Sequence, residues 1–335
     1  MMGPGLGGGF GRYQGYFGLV LDNILEMDVV IADGSKITVS ASSHPELFWG
    51  MRGAGHNFGI VTRFQQKIFD NPNSKWFFAT LVFRADKLEA LIEVLNVFGA
   101  NGTQPKEATT YTLFAVNPEI SPSEPVIIFT LEYGGSASSA APILAPFYAI
   151  DPVITTNTTV PYTEAAHAAG AGLEDPPCQP LSSWKLFPVG LQTFNIRTTR
   201  ALYELFSTMI AENPAFNNSI VQLEGYPQQG VRAVDPDSTA YAHRDDILLA
   251  SLGAVWPPNR PELENIAVQY GHQARTLLHA GDTPGRPLNT YVNYASSDET
   301  PEMLYGHEPW RLKRLRALKR KYDPNGRFNF YNPII

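Results

Sequence analysis

The distribution of apolar and polar positions predicts a mixed fold whose texture changes along the chain. Residues 24–31 read as a strand, Ala32-Asp33-Gly34-Ser35 supplies hairpin-turn chemistry, and Lys36-Ile37-Thr38-Val39 returns as a second strand. His44-Pro45 opens a short helix through Arg52, because proline suits the first helical turn and Leu47, Phe48 and Met51 share one face. The glycine-rich bend Gly53-Ala54-Gly55-His56-Asn57-Phe58-Gly59 then runs straight into Ile60-Val61-Thr62-Arg63-Phe64, a strand entering from a tight loop. Past Asn71-Pro72-Asn73 the pattern becomes an ordinary alternation of elements. It predicts strands at 76–83, 109–116, 125–133, 219–225 and 246–255, and helices at 86–99, 137–148, 198–212 and 261–279. That order predicts an α+β fold in which helices cover one side of an antiparallel sheet.

Three stretches have no such period. Residues 1–11 hold six glycines and one proline, the mark of backbone that must turn tightly or approach something closely. Residues 151–190, rich in Pro, Thr and Ala and including Asp175-Pro176-Pro177-Cys178-Gln179-Pro180, read as a long ordered loop with the character of a lid. Pro284-Gly285-Arg286-Pro287 marks a lobe boundary before an apolar-polar strand, Thr290-Tyr291-Val292-Asn293-Tyr294. A last helix, at about 309–321, is stopped by Asp323-Pro324-Asn325-Gly326.

Composition narrows the partner. With 335 residues, 44% hydrophobic and 17% charged, the chain can form two packed lobes, and disorder is excluded. A formal net charge of -7 opposes binding to nucleic acid or to anionic lipid, which leaves a small molecule as the expected partner. The basic run Arg311, Lys313, Arg314, Arg316, Lys319, Arg320 and Lys321 is read as the solvated face of the last helix. Cys178 is the single cysteine, so neither an intrachain disulfide nor a cysteine-rich metal site can be built, and no metal is expected. No stretch has the length and apolarity of a membrane span, and the chain opens with neither a basic n-region nor an apolar h-region. A soluble protein without a membrane or a signal peptide is expected, its compartment and oligomeric state left open. Three sequons, at Asn101, Asn157 and Asn217, matter only if the gene product enters the secretory pathway. No histidine pair has metal spacing and no G-x-S-x-G elbow is present, which removes metalloenzyme and hydrolase readings.

The chemistry-bearing residues come in a telling order. Gly7-Gly8-Gly9 is followed by Gly18-Leu19-Val20-Leu21-Asp22-Asn23, then Asp33-Gly34, Leu47-Phe48-Trp49 and the 53–62 bend and strand. Near the end come Tyr291-Val292-Asn293-Tyr294, Tyr305-Gly306, Arg311-Leu312, Lys321-Tyr322-Asp323-Pro324-Asn325 and Phe328, and between them stands Thr239-Ala240-Tyr241-Ala242-His243-Arg244-Asp245. This succession resembles the berberine-bridge-enzyme-like oxidoreductases of the vanillyl-alcohol-oxidase superfamily, with their PCMH-type FAD-binding domain.

The resemblance implies a partial FAD-binding domain at 1–70, without the family's first pyrophosphate loop, a substrate domain at 71–285, and a return into the FAD-binding domain at 286–335. It also implies Gly8, Gly9, Asn23, Gly59, Ile60 and Val61 as cofactor-binding residues, with Tyr291 and Asn293 nearer the flavin ring. Glycine bends suit a pyrophosphate because side chains would keep backbone N–H groups away from it. The family's usual histidine anchor belongs to an earlier segment, and the position of its cysteine link falls within Met1-Met2-Gly3-Pro4-Gly5-Leu6, so any FAD is expected to be non-covalent. Tyr241, His243 and Tyr294 are the catalytic candidates, since a phenol or imidazole near a flavin can take a proton while hydride leaves to the ring. Ser238 stands where some relatives carry a glutamate base. His56, Glu224 and Asp235 are assigned structural or surface roles. The implied activity is FAD-dependent oxidation of a small molecule in secondary metabolism, with hydride transfer to flavin and reoxidation by oxygen. The alternatives are a flavin-free homologue performing isomerisation or cyclisation, and a non-catalytic binding protein.

Overall fold

A computed structural model describes residues 2–175 and 182–335, which leaves Cys178 and the rest of 176–181 outside the described residues. The chain divides into two compact units. The first comprises Met1–Asp70, Gln228–Asp246 and Pro287–Ile335, the second Asn71–Pro227 and Ile247–Arg286.

The first unit is built around a three-stranded antiparallel sheet in the order β2-β1-β3, formed by β1 (Ile24–Val30), β2 (Lys36–Ser40) and β3 (Ile60–Gln66). The β1–β2 turn closes because Gly34 takes φ +85° and Asp33 Oδ1 accepts the Ser35 amide at 2.8 Å. The helix Pro45–Ala54 buries Leu47, Phe48 and Met51 as their spacing requires. It kinks at Gly53, whose φ of +132° and whose position against the segment 240–241 both demand glycine: a Cβ there would lie 2.3 Å from the Tyr241 amide nitrogen.

Segment 228–246, assigned to the substrate lobe from sequence, therefore packs in the first unit. Trp49 Nε1 donates to the Asp237 carbonyl at 2.9 Å, and Arg244 forms an ion pair with Asp22 at 2.6 Å. The C-terminal helix Pro309–Tyr322 contributes as well. Its basic residues are not all on a solvated face, as the charge run had suggested. Arg311 falls in the helical row of Leu315, Leu318 and Tyr322, and Lys319 follows Leu312 by two turns and Leu315 by one, so both are carried inward. Arg311 donates to the Thr239 carbonyl at 2.9 Å, and Lys319 to the Asn57 carbonyl at 3.0 Å and to Asp323 at 2.6 Å.

Two other expectations for this unit are corrected. The glycine-rich start is helical over Met2–Gly7 before it breaks at Gly8 and Gly9, with φ +146° and +86°. Residues 290–294 form a 3-10 turn at Val292–Tyr294 rather than a strand. The Tyr291 hydroxyl and the Asn293 amide bond to backbone groups of residues 4–9, and these bonds stand in place of a strand ladder.

The second unit is a seven-stranded, wholly antiparallel sheet in the order β7-β4-β6-β5-β9-β10-β8. Its strands are β4 (Lys75–Phe83), β5 (Ala108–Ala115), β6 (Val126–Gly134), β7 (Ile154–Pro161), β8 (Ser183–Leu191), β9 (Ile220–Gly225) and β10 (Leu248–Trp256). The 151–190 segment thus supplies two strands, both at sheet edges, rather than a single loop. Its Thr-rich first half is exposed on both faces, so it shows no alternation to read. Cross-strand partners share a face. Leu81, Phe129, Phe114, Val221, Leu252 and Phe187 line one face across the sheet. Helices cover it: Phe147 of Ala137–Tyr148 stacks on Phe129 at 4.2 Å, Tyr203 of Ile196–Glu212 meets Phe114 edge-on at 5.3 Å, and Gly271 of Pro261–Ala280 abuts Phe187. The other face carries Thr80, Thr130, Tyr111, Glu224, Gln222 and Ser251.

Candidate functional site

In the first unit, residues nearly 300 positions apart in the chain converge on the break after the first helix. The Tyr291 hydroxyl accepts the Gly9 amide at 3.0 Å and the Asn293 amide at 2.7 Å, and Asn293 also donates to the Pro4 carbonyl at 2.9 Å. A Cβ at Gly8 would lie 2.9 Å from the Tyr291 ring and 3.3 Å from the Tyr241 ring; one at Gly7 would collide with Asn293. The glycines are thus needed by the protein's own aromatic and amide side chains. Tyr294 packs on Tyr291 with ring centroids 5.3 Å apart, and Phe10 stacks on Tyr291 at 4.3 Å. The result is a cluster of flat rings and amide groups around Gly8 and Gly9.

Tyr241 is held at this cluster by its backbone, whose amide donates to the Arg52 carbonyl at 3.2 Å. Its side chain is 4% exposed, yet its hydroxyl makes no hydrogen bond among the described residues. Burial is the main cause that raises the phenol well above its ordinary range, with the charge of Asp246 adding to it. Tyr241 therefore keeps its proton and can donate it to a ligand. His243 is buried and its Nε2 bonds the Leu304 carbonyl at 3.0 Å, a contact that carries the proton on that nitrogen and positions the chain. Arg244 reaches Asp22 with two bonds of 2.6 and 3.1 Å, adds Thr239 Oγ1 at 3.0 Å, and joins this segment to the turn after Gly18.

The remaining sequence candidates are placed elsewhere. Both bonds of the Asn23 amide go to the Phe17 and Leu19 carbonyls, at 2.9 and 3.0 Å. Gly59 lets its backbone press on Val29 and Val30, where a Cβ would meet Val29 at 2.5 Å. Ile60 and Val61 pair with Val30 and Val29 in the small sheet, and Ile60 is 62% exposed. No hydrogen bond or ring contact joins Gly59, Ile60 or Val61 to the Gly8–Tyr291 cluster among the described residues. His56 is a structural histidine: its Nε2 lies 3.0 Å from the Tyr305 hydroxyl, and burial pushes its pKa down to about 4.

The second unit holds a carboxylate that sequence reasoning had assigned to the surface. Glu224 is 1% exposed. Tyr226 donates to its Oε2 at 2.5 Å, Gln222 to its Oε1 at 2.7 Å, and the Tyr111 hydroxyl lies 2.9 Å from that of Tyr226. Since the Tyr226 proton points at Glu224, the Tyr111 hydroxyl is the donor to Tyr226. The i, i+2 spacing of Gln222 and Glu224 on β9 signalled their shared face but not the burial depth. Asp235 is exposed and caps the turn at Asp237. Among the described residues no cluster of metal-ligating side chains is present, and no helix is long and apolar enough to cross a membrane.

An isoalloxazine ring needs flat apolar contacts and a few hydrogen-bonding groups at its edge. The Tyr241 hydroxyl, without a hydrogen bond among the described residues, and the rings of Tyr291 and Tyr294 fit that requirement.

The family model described as "Berberine and berberine like" matches residues 290–335. The FAD-linked oxidoreductase anuG of Penicillium roqueforti is 44% identical over 336 residues, covering 100% of this chain and 66% of that protein. The FAD-linked oxidoreductase OXR2 of Pyricularia oryzae is 43% identical, covering 100% and 65%. The chain thus spans just under two thirds of the length of these curated relatives. In fold it is similar to Physcomitrella patens BBE-like 1, with TM-score 0.79 and 22% identity over 100% of this chain and 69% of that one. It is also similar to a carbohydrate oxidase from Microdochium nivale, with TM-score 0.78 and 23% identity over 100% and 70%.

Proposed function

The chain belongs to the berberine-bridge-enzyme-like FAD-linked oxidoreductases, and from that premise we propose that it oxidises a hydroxyl-bearing small molecule of secondary metabolism, with oxygen as the final acceptor. The observation that carries the reading is the hydroxyl of the buried residue Tyr241, which makes no hydrogen bond among the described residues, at a cluster of Gly8, Gly9, Tyr291 and Tyr294. FAD, when bound, supplies the hydride acceptor and hands the electrons to oxygen. Tyr241, Tyr291, Asn293 and Tyr294 would hold its ring, Tyr241 as a proton-bearing donor. The stretch Met1–Leu6 ahead of Gly7-Gly8-Gly9 holds no cysteine, so a cysteinyl link at that position has no thiol to form it.

The proton of the substrate hydroxyl needs a base, and Tyr241 is unsuited to that task because burial favours its neutral form. Within the second unit taken by itself, the Tyr111–Tyr226–Glu224 line can take up a proton. A proton taken by the Tyr111 oxygen displaces the Tyr111 proton to Tyr226 and the Tyr226 proton to Glu224, and no charge is stranded on a phenol. Glu224→Gln keeps the size and removes the acceptor. Turnover of an accepted substrate, followed as peroxide formed from oxygen, is expected to fall about 10²–10⁴-fold in that variant. Unchanged turnover removes Glu224 from the reaction.

The same line also supports a second reading, proton-transfer isomerisation without flavin, because all its groups lie in the second unit. Substrate conversion by the flavin-free protein with no oxygen consumed would favour it.

A further inference from the structure

The two edges of the seven-stranded sheet are protected unequally. An edge strand presents a row of unpaired backbone groups that invites pairing with another chain, and natural proteins counter this with lysine, proline, bulges or cover. At one edge, β8 carries Lys185, paired with Glu264 at 2.7 Å, and Pro188, which has no N–H to offer. At the other edge, β7 has no lysine, proline or bulge before its terminal Pro161. Its pairing with β4 runs without a register shift from Lys75↔Pro161 to Val82↔Ile154. Seven of its eight residues are exposed, and Ile154-Thr155-Thr156-Asn157-Thr158-Thr159-Val160 contains no charge, glycine or proline. A neutral, β-branched run of that length is the composition of self-pairing segments.

We propose that Asn157 is an N-glycosylation site and that its glycan is the protection this edge lacks. Asn157 is the fourth of the eight β7 residues and the first residue of the sequon Asn157-Thr158-Thr159. Both Asn157 and Thr159 are exposed. Asn157 Oδ1 accepts the Tyr148 hydroxyl at 3.4 Å, while its nitrogen makes no hydrogen bond among the described residues. The sequon at Asn217 is less open, because the Ser219 hydroxyl is buried and bonded to the Val255 backbone. In the transfer, the Asn157 carboxamide nitrogen bonds to the anomeric carbon of a polyprenyl-diphosphate-linked oligosaccharide. The bond from that carbon to the diphosphate oxygen breaks, the polyprenyl diphosphate leaves with the electron pair, and the amide nitrogen loses one proton. A bulky, hydrated chain at mid-strand then blocks the approach of a second strand. The proposal places the chain in a glycosylating secretory compartment during its synthesis.

The test uses the full-length protein from its own cells, treated with peptide N-glycosidase in heavy-oxygen water and mapped by mass spectrometry. Conversion of Asn157 to heavy-oxygen aspartate is expected, with complete loss of that signal in both Asn157→Gln and Thr159→Ala. An unmodified Asn157 overturns the site. The deglycosylated protein and both variants are expected to lose their monomer peak in size-exclusion chromatography, and Thr158→Lys added to Asn157→Gln is expected to restore it. Monomers that persist without the glycan overturn its protective role.

Discussion

Each of the two units has its own internal source of cohesion, and the physics differs. In the first, distant segments of chain are joined by buried charges and close backbone contacts: Arg244 on Asp22, Lys319 on the Asn57 carbonyl, and Gly53 against Tyr241. In the second, long strands and covering helices bury a continuous apolar face, and a polar network stands on the opposite face. The difference teaches where single substitutions matter. A buried charge that loses its partner costs more than an apolar side chain that can shift.

The largest effect is expected at Arg244. Its side chain and that of Asp22 are 3% and 4% exposed, so Arg244→Met leaves a carboxylate buried without its cation. We expect the first unit to lose about 3–5 kcal/mol in urea unfolding. The double variant Arg244→Met/Asp22→Leu should recover most of that, and a double variant as unstable as the single one would break the comparison.

Next comes a pH effect in the same unit. Burial lowers the folded pKa of His56 from 6.5 to about 4, so between those values the unfolded chain binds the extra proton. The stability from neutral His56 is complete above the higher value and declines as pH falls through the window, by about 3 kcal/mol in all. His56→Gln should flatten that slope; an unchanged slope assigns it to other groups.

The smallest expected loss lies in the second unit. A Cβ at Gly271 would sit 2.2 Å from the Phe187 ring, which is a side chain and can shift, so Gly271→Ala should cost about 1–3 kcal/mol. A loss equal to that of Arg244→Met would show that the packed sheet is no more forgiving than the charge-pinned unit.

The same contrast explains what could be read from the sequence. The periodic strands and helices of the second unit start and stop within about two residues of their predicted limits, because a half-buried surface imposes its period on the chain. The exceptions are β7, exposed on both faces and so without a period, and β8, whose second half is continuously buried and so does not alternate. In the first unit, no local rule indicates that Tyr291 closes on Gly9 or that Arg244 reaches Asp22, since each partner is more than 200 positions away. That convergence was approachable only through the order of motifs shared with a family. The burial of Glu224 was hidden for another reason: polar alternation along β9 names a face, and only the assembled sheet shows how deep that face lies.

The most direct test of the central claim is a titration of FAD into the purified, folded chain, followed by quenching of flavin fluorescence and by the absorbance band at about 450 nm that the cofactor brings. Saturable binding of one FAD per chain, with the band perturbed by Tyr241→Phe, is the predicted result. A folded chain that takes up no FAD would contradict the account.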